Sequence, residues 1–94
     1  MVNVRHLDWD DWNVDHIARH GVSRDDVEEV CHGTPTEDET YRNRLRLVGP
    51  TAVGNLLTVI LAPQDEDGVY YVVTARPAAK KERRIYRERM GEQA

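Results

Sequence analysis

The 94-residue sequence predicts an α+β domain in the order β-α-α-β-β-β-α, with an antiparallel sheet of three to four strands packed against helices. Three observations carry this expectation. Apolar and aromatic residues recur at helical spacing between Trp9 and Cys31. The period changes to two between Tyr41 and Ala75, as strands require. After Pro77 the chain returns to a charged, helix-favouring run that ends at Met90.

The elements follow in chain order. Val2 to Leu7 alternates Val2, Val4 and His6 against Asn3 and Arg5, which predicts a short strand edging the sheet. Asp8 is placed to cap a helix of about three turns carrying Trp9, Trp12, Asn13, His16, Ile17 and His20, with acids in its first turn and Gly21 at a left-handed C-terminal cap. Ser23-Arg-Asp-Asp26 reads as a capping box opening a second helix, with Val27, Val30 and Cys31 inward, and Gly33-Thr-Pro35 ends it. From Tyr41 to Leu47 one face holds Tyr41, Asn43, Leu45 and Leu47 and the other holds Arg42, Arg44 and Arg46. Gly49-Pro50 and Gly54 bound a loop without the lysine or spacing of a phosphate-binding loop. Leu56 to Ala62, nearly all apolar, predicts a central strand buried on both faces. The turn Pro63-Gln-Asp-Glu-Asp-Gly68 leads to a third strand, Val69 to Ala75, and Pro77 suits the first turn of the last helix.

This length supports one domain over residues 1–90, able to bury about two-thirds of its unfolded surface, with residues 91–94 expected as a free tail. Cys31 has no partner for an intramolecular disulfide, the first residues lack an apolar signal core, and no apolar run reaches membrane-spanning length, which together suggest the reducing cytoplasm and no membrane association. The net charge of −4 hides a segregation. Residues 1–40 carry eleven acids against three arginines, whereas residues 41–94 carry ten Lys and Arg against six acids. Such a chain can offer a cationic patch to phosphate while an acidic face serves another partner. The bland alternative is a solvated helix of mixed charge, since Glu82 and Glu88 partly neutralise the last segment.

Leu7-Asp-Trp-Asp10, His20-Gly-Val-Ser23, the strand end from Arg44 to Gly49, Thr74-Ala-Arg76, and Glu82-Arg83 with Tyr86 occur in the order and spacing of a known family. In these motifs, over nearly its whole length, the chain resembles the BrnT-like toxins of bacterial type II toxin–antitoxin modules. The resemblance implies a RelE-like fold and a ribonuclease activity, working without metal or cofactor, that arrests translation. It also implies a cognate antitoxin that neutralises the toxin, an RNA substrate free or on the ribosome, and DNA contact only through the antitoxin complex. The rival expectation is a non-catalytic member acting as binding partner or corepressor in an operator-binding complex.

RNA cleavage of this kind needs a base for the 2′-hydroxyl, an acid for the leaving oxygen, and cations where the phosphorane gathers negative charge. Arg44, Arg46 and Arg76 are the candidate cations, because a guanidinium fork meets phosphate bidentately and keeps its charge. Arg76 occupies the arginine of the family's Thr/Ser-Ala-Arg motif; only one of Arg44 and Arg46 can be its strand arginine, with Arg44 preferred. For proton transfer the candidates are His20, His16, Glu82 and Tyr86. His20 also suits a helix terminus as a simple cap. Tyr86 either stacks a base or closes the core, and Glu82 either acts as base or orients Arg76. Lys80, Lys81, Arg83 and Arg84, with Arg87 and Arg89, are expected to steer RNA or bind the antitoxin. Trp9 and Trp12 could stack on RNA, but their helical spacing favours anchoring their helix on the sheet. His16, His20, Cys31 and His32 lack the second, properly spaced ligand pair of a zinc site. Two basic positions common in the family are here Pro50 and Asn55, which points to a weakened nuclease or to cleavage centred on the three arginines. The acidic residues, Asp25, Asp26, Glu28 and Glu29 among them, are expected to face the antitoxin or to orient RNA by repulsion.

Overall fold

The computed structural model describes residues 3–93, and the inward placement expected for Val2 and the last tail residue Ala94 lie outside them. Five strands form one mixed sheet in the order β1-β5-β4-β3-β2, comprising β1 (His6–Asp8), β2 (Thr36–Thr40), β3 (Arg44–Pro50), β4 (Leu56–Pro63) and β5 (Val69–Pro77). Helices α1 (Asp11–Ala18) and α2 (Arg24–Cys31) precede β2, and α3 (Lys80–Gln93) follows β5. The α+β class and the element order match the sequence expectation, with one strand added.

That added strand is Thr36-Glu-Asp-Glu-Thr40, which pairs antiparallel with β3 from Thr36↔Val48 to Thr40↔Arg44. It has no apolar residue, so no hydrophobic period betrays it; charges on an outermost strand discourage edge-to-edge association. The expected start of the next strand is a tight turn instead. Tyr41–Asn43 forms a single 3₁₀ turn with Arg42 and Asn43 at φ of 63° and 59°, so Arg42 leaves the expected row of arginines and Tyr41 is exposed. The left-handed region suits Asn and costs Arg about 1 kcal/mol.

Three helix boundaries also move. Asp10, not Asp8, caps α1: its Oδ1 accepts from Asn13 N at 2.8 Å while Asn13 Oδ1 accepts from Asp10 N at 2.9 Å. Asp8 is instead the last residue of β1, which lies parallel to β5 with Asp8 opposite Tyr71. Its exposed neighbour His6 does not point inward, and Val4 and Leu7 are the buried residues of this segment. At the other end Pro77 closes β5 rather than opening α3. It pairs with Leu57, and the helix begins three residues later. Helix α3 then continues through Gly91–Gln93, where the sequence suggested a tail.

The remaining helix ends are as expected. Ser23 and Asp26 form the reciprocal box of α2. Beyond α1, Gly21 takes φ 74°, with Gly21 N donating to Ala18 O and Val22 N to Ile17 O, the bonding of a Schellman motif. Its companion apolar contact is supplied by the fully buried Ile17 and the buried Val22.

Strand alternation sorts the sheet into two faces. Leu45, Leu47, Leu57, Val59, Leu61, Val72 and Ala75 form the core with Ile17 of α1 and Val27, Val30 and Cys31 of α2. Gly49 packs closely here, since a Cβ would lie 3.0 Å from Pro35, which would have to give way. On the opposite face α3 crosses diagonally from β5 to β2. It is held by Glu82 to Thr58 and Arg76, by Tyr86 Oη donating to Thr34 O at 3.3 Å, and by Arg89 to Asp38. Helix α1 lies along the stretch of β5 that β1 leaves uncovered. There the buried Asn13 donates from Nδ2 to Asp8 O and Val72 O, so its amide satisfies the fork where the two strands part.

Candidate functional site

The register places the three candidate arginines on one sheet face. Arg76 pairs with Thr58, while Arg46 pairs with Ile60 and Ile60 with Thr74. Arg44 stands two residues before Arg46 on the same strand. All three therefore project opposite the apolar core, on the face that α3 covers only in part. From strand spacing, the Arg46 and Arg76 Cα atoms are about 12 Å apart.

Arg76 is the best-supported side chain of this face. Its Nη1 donates to Glu82 Oε1 at 2.7 Å and its Nη2 to Glu82 Oε2 at 3.0 Å. Glu82 Oε1 also accepts from Thr58 Oγ1 at 2.9 Å and from Ala79 N at 2.7 Å. Thr58 is fully buried, so its hydroxyl offers a fixed donor. The Arg76 hydrogen bonds, joined by those from Ala79 and Thr58, hold the Glu82 carboxyl down from 4.5 to about 2. A carboxylate so fully engaged is a poor proton acceptor, and its bonds are those of a partner that orients Arg76. The same hydrogen bond raises the already high pKa of Arg76. A guanidinium carries five N–H donors; two serve Glu82 and a third reaches Pro77 O at 3.4 Å, which leaves donors for a substrate on a side chain 42% exposed.

Arg46 and Arg44 differ. Arg46 Nη2 lies 3.5 Å from Asp38 Oδ2, and its buried Nε has no hydrogen-bond partner among the described residues. Asp38 is itself gripped by Arg89, at 3.2 and 3.0 Å. Arg44 lies farther along β3, at the sheet end with Glu39, Asn43, Pro63 and Tyr70. Of the two, Arg46 stands nearer Arg76.

The proton-transfer candidates are dispersed. Tyr86 is half-buried and donates to Thr34 O, which favours closure of the α3 interface over base stacking. His20 is exposed in the turn after α1, its ring edge-on to His16 at a centroid distance of 5.5 Å. His16 Nε2 is hydrogen-bonded to Thr74 Oγ1 at 3.1 Å. Asn13 meets Val72 and His16 meets Thr74, so α1 and β5 advance together.

On α3, Lys80, Lys81, Arg84 and Arg87 are exposed, whereas Arg83 is half-buried with Nη1 donating to Ala78 O at 2.6 Å. Arg83 therefore fixes the strand–helix junction, and Arg89 serves the Asp38 clamp. Pro50 and Asn55 flank the β3–β4 turn at the Arg76 end of the sheet, where Pro50 pairs with Leu56 and Ala78 N donates to Leu56 O. In the acidic half, Glu28 accepts from Trp9 Nε1 at 2.8 Å and meets His32, Glu29 accepts from Ala52 N, and Asp26 accepts from Ser23 N in the capping box of α2. These three acids have work inside the fold.

Sequence reasoning missed Thr58, Asp38 and the exposure of Trp12. Trp9 packs against the core as expected, beneath Arg24 at 5.6 Å. Trp12 does not anchor anything: it is 59% exposed and stacks on His16 at 4.8 Å. The alternation of β4 could have flagged Thr58 as the polar residue of a nearly apolar strand. Burial and Glu28 push the Cys31 thiol up to about 12, which removes it as a thiolate nucleophile. Among the described residues no three His, Cys, Asp or Glu side chains gather as a metal site, and no helix is long and apolar enough to cross a membrane.

No family model matches the chain, and no curated protein matches it. Among solved structures, that of the ribonuclease toxin BrnT of Brucella abortus is similar, with a TM-score of 0.64 and 23% sequence identity over 80% of this chain and 97% of that one. The chain therefore has a BrnT-like fold, reached at a level of identity that carries the architecture.

Proposed function

We propose that this protein is a toxin-type endoribonuclease that cleaves RNA at the sheet face bearing Arg76 and Arg46, inhibits translation, and is neutralised by a cognate antitoxin. The observation that carries the reading is Arg76, a strand-held guanidinium fixed by a doubly hydrogen-bonded carboxylate yet keeping free donors on an open face. That is the preorganised cation a phosphorane requires. The BrnT-like fold and the motifs of the chain support the same activity.

In the proposed reaction the ribose 2′-oxygen attacks the adjacent phosphorus as its proton passes to a base. The P–O2′ bond forms, the P–O5′ bond breaks, and the leaving O5′ takes a proton, giving a 2′,3′-cyclic phosphate and a 5′-hydroxyl. Arg76 donates to the non-bridging oxygens as their charge grows, and Arg46 lies along the strand-to-strand path that the backbone would follow. Glu82 positions Arg76. His20, exposed in the turn after α1, is assigned the proton-transfer role. Lys80, Lys81, Arg84 and Arg87 supply attraction that weakens with salt.

The test is expression of the chain alone from a tightly controlled promoter, with growth and RNA integrity followed, alongside Arg76→Ala. Growth arrest with RNA cleavage, both lost in Arg76→Ala, is the expected result. A soluble, folded protein that neither arrests growth nor cleaves RNA would leave the non-catalytic binding role. Full cleavage by Arg76→Ala would reject this site. An antitoxin contact through the acidic helices is best tested at the exposed Asp25, because reversing Asp26, Glu28 or Glu29 disturbs the fold itself.

A further inference from the structure

Trp12 is the anomaly of the surface. A tryptophan normally buries a large apolar area, yet this one is 59% exposed. Its ring lies nearly parallel to the His16 imidazole, 4.8 Å between centroids with an 8° interplanar angle. His20 then meets His16 edge-on. Residues 12, 16 and 20 thus form a continuous aromatic ridge along α1 and into the turn that follows it. The ridge is fixed at its centre, because His16 is hydrogen-bonded to Thr74, two residues before Arg76 on the same strand.

We propose that this ridge is a nucleobase-stacking subsite for single-stranded RNA, seating an unpaired base beside the phosphate held at Arg76. The inference rests on the ribonuclease reading above and adds where the substrate base goes. The surroundings favour a base over a phosphate. Asp11 and Asp15 sit on the flanks of Trp12 and His16 along α1 and repel anions, while a neutral π-face tolerates such borders. The phosphate cations stand on the other side of Thr74, at Arg76 and Arg46. Stacking on Trp12 is sequence-tolerant, so the subsite discriminates unpaired from duplex RNA more than one base from another.

The probe is a short oligoribonucleotide, 2′-O-methylated so that it binds without being cut. Its titration into the protein should quench the emission of exposed Trp12, and Trp12→Phe should remove the quenching while Trp9, hydrogen-bonded to Glu28, reports the unperturbed baseline. Trp12→Ala should weaken binding roughly tenfold with the salt dependence unchanged, whereas Arg76→Ala should lower the slope of the salt dependence by about one. The exposed site of Trp12 makes both variants tolerable, and far-ultraviolet circular dichroism checks that they fold. RNA bound and cleaved without quenching, with Trp12→Ala binding as tightly as the parent, would overturn the subsite and leave the ribonuclease reading standing. A folded parent protein that neither binds nor cleaves RNA would overturn both.

Discussion

Helix α3 is fastened to the sheet by two arginine–carboxylate forks of opposite sense. Near its start the arginine is on the strand and the carboxylate on the helix, Arg76 with Glu82. Near its end the carboxylate is on the strand and the arginine on the helix, Asp38 with Arg89. The first carboxylate is 15% exposed and takes two further hydrogen bonds, from buried Thr58 and from Ala79. The second is 28% exposed and is shared with Arg46 at a longer 3.5 Å. The difference shows how one kind of interaction serves two purposes. A carboxylate saturated by fixed donors makes its arginine rigid, which suits chemistry; one divided between two cations makes a clamp.

The largest expected contrast is functional. Arg76→Ala should lower RNA cleavage by about a hundredfold or more, the usual loss when a transition-state donor is removed, while Arg89→Ala should leave most of it, as gel assays of purified variants would show. Equal losses would mean that the two forks are not distinct. Next comes stability. Glu82→Ala removes two charge-assisted bonds and two single ones and should cost about 2–3 kcal/mol, against about 1 kcal/mol for the more exposed Asp38→Ala, both read from urea unfolding midpoints.

The forks should also differ in their response to acid. The folded-state pKa of Glu82 is lowered, from 4.5 to about 2. Its stabilisation is therefore fully present above the unfolded value and is lost as pH falls toward about 2. Unfolding midpoints measured across this window should drop in the parent protein and flatten in Glu82→Gln; a parallel decline in that variant would assign the acid sensitivity elsewhere. The smallest effect lies outside both forks. Arg42→Gly relieves the left-handed backbone of the β2–β3 turn and should stabilise by about 0.5–1 kcal/mol, seen as a small rise in melting temperature.

How much of this was legible in the sequence depended on whether the signal was local. Ser23 with Asp26, Gly21, and the apolar run of β4 act within a few residues, and each appears where its own chemistry put it. The strand β2 was hidden because Thr36-Glu-Asp-Glu-Thr40 gains its structure from pairing with β3, not from an apolar period of its own. Asp10 displaced Asp8 as cap because Asp8 is held in β1 by β5, a partner some sixty residues away in the chain.

The candidate site divides in the same way. The motifs around Thr74-Ala-Arg76 and Glu82 marked the residues, and strand alternation put Arg44 and Arg46 on one face. The four donors around Glu82, drawn from β4, β5 and the entry to α3, meet only when the sheet and helix have packed. The exposure of Trp12 was equally invisible, since helical spacing gives the direction of a side chain but not what covers it. Local propensity and period thus determined the class, the order apart from β2, both ends of α2 and the end of α1. The added strand, the oriented arginine and the uncovered aromatic ridge were decided by contacts between segments distant in the chain, because hydrogen-bond saturation and burial are properties of the neighbours a residue acquires on folding.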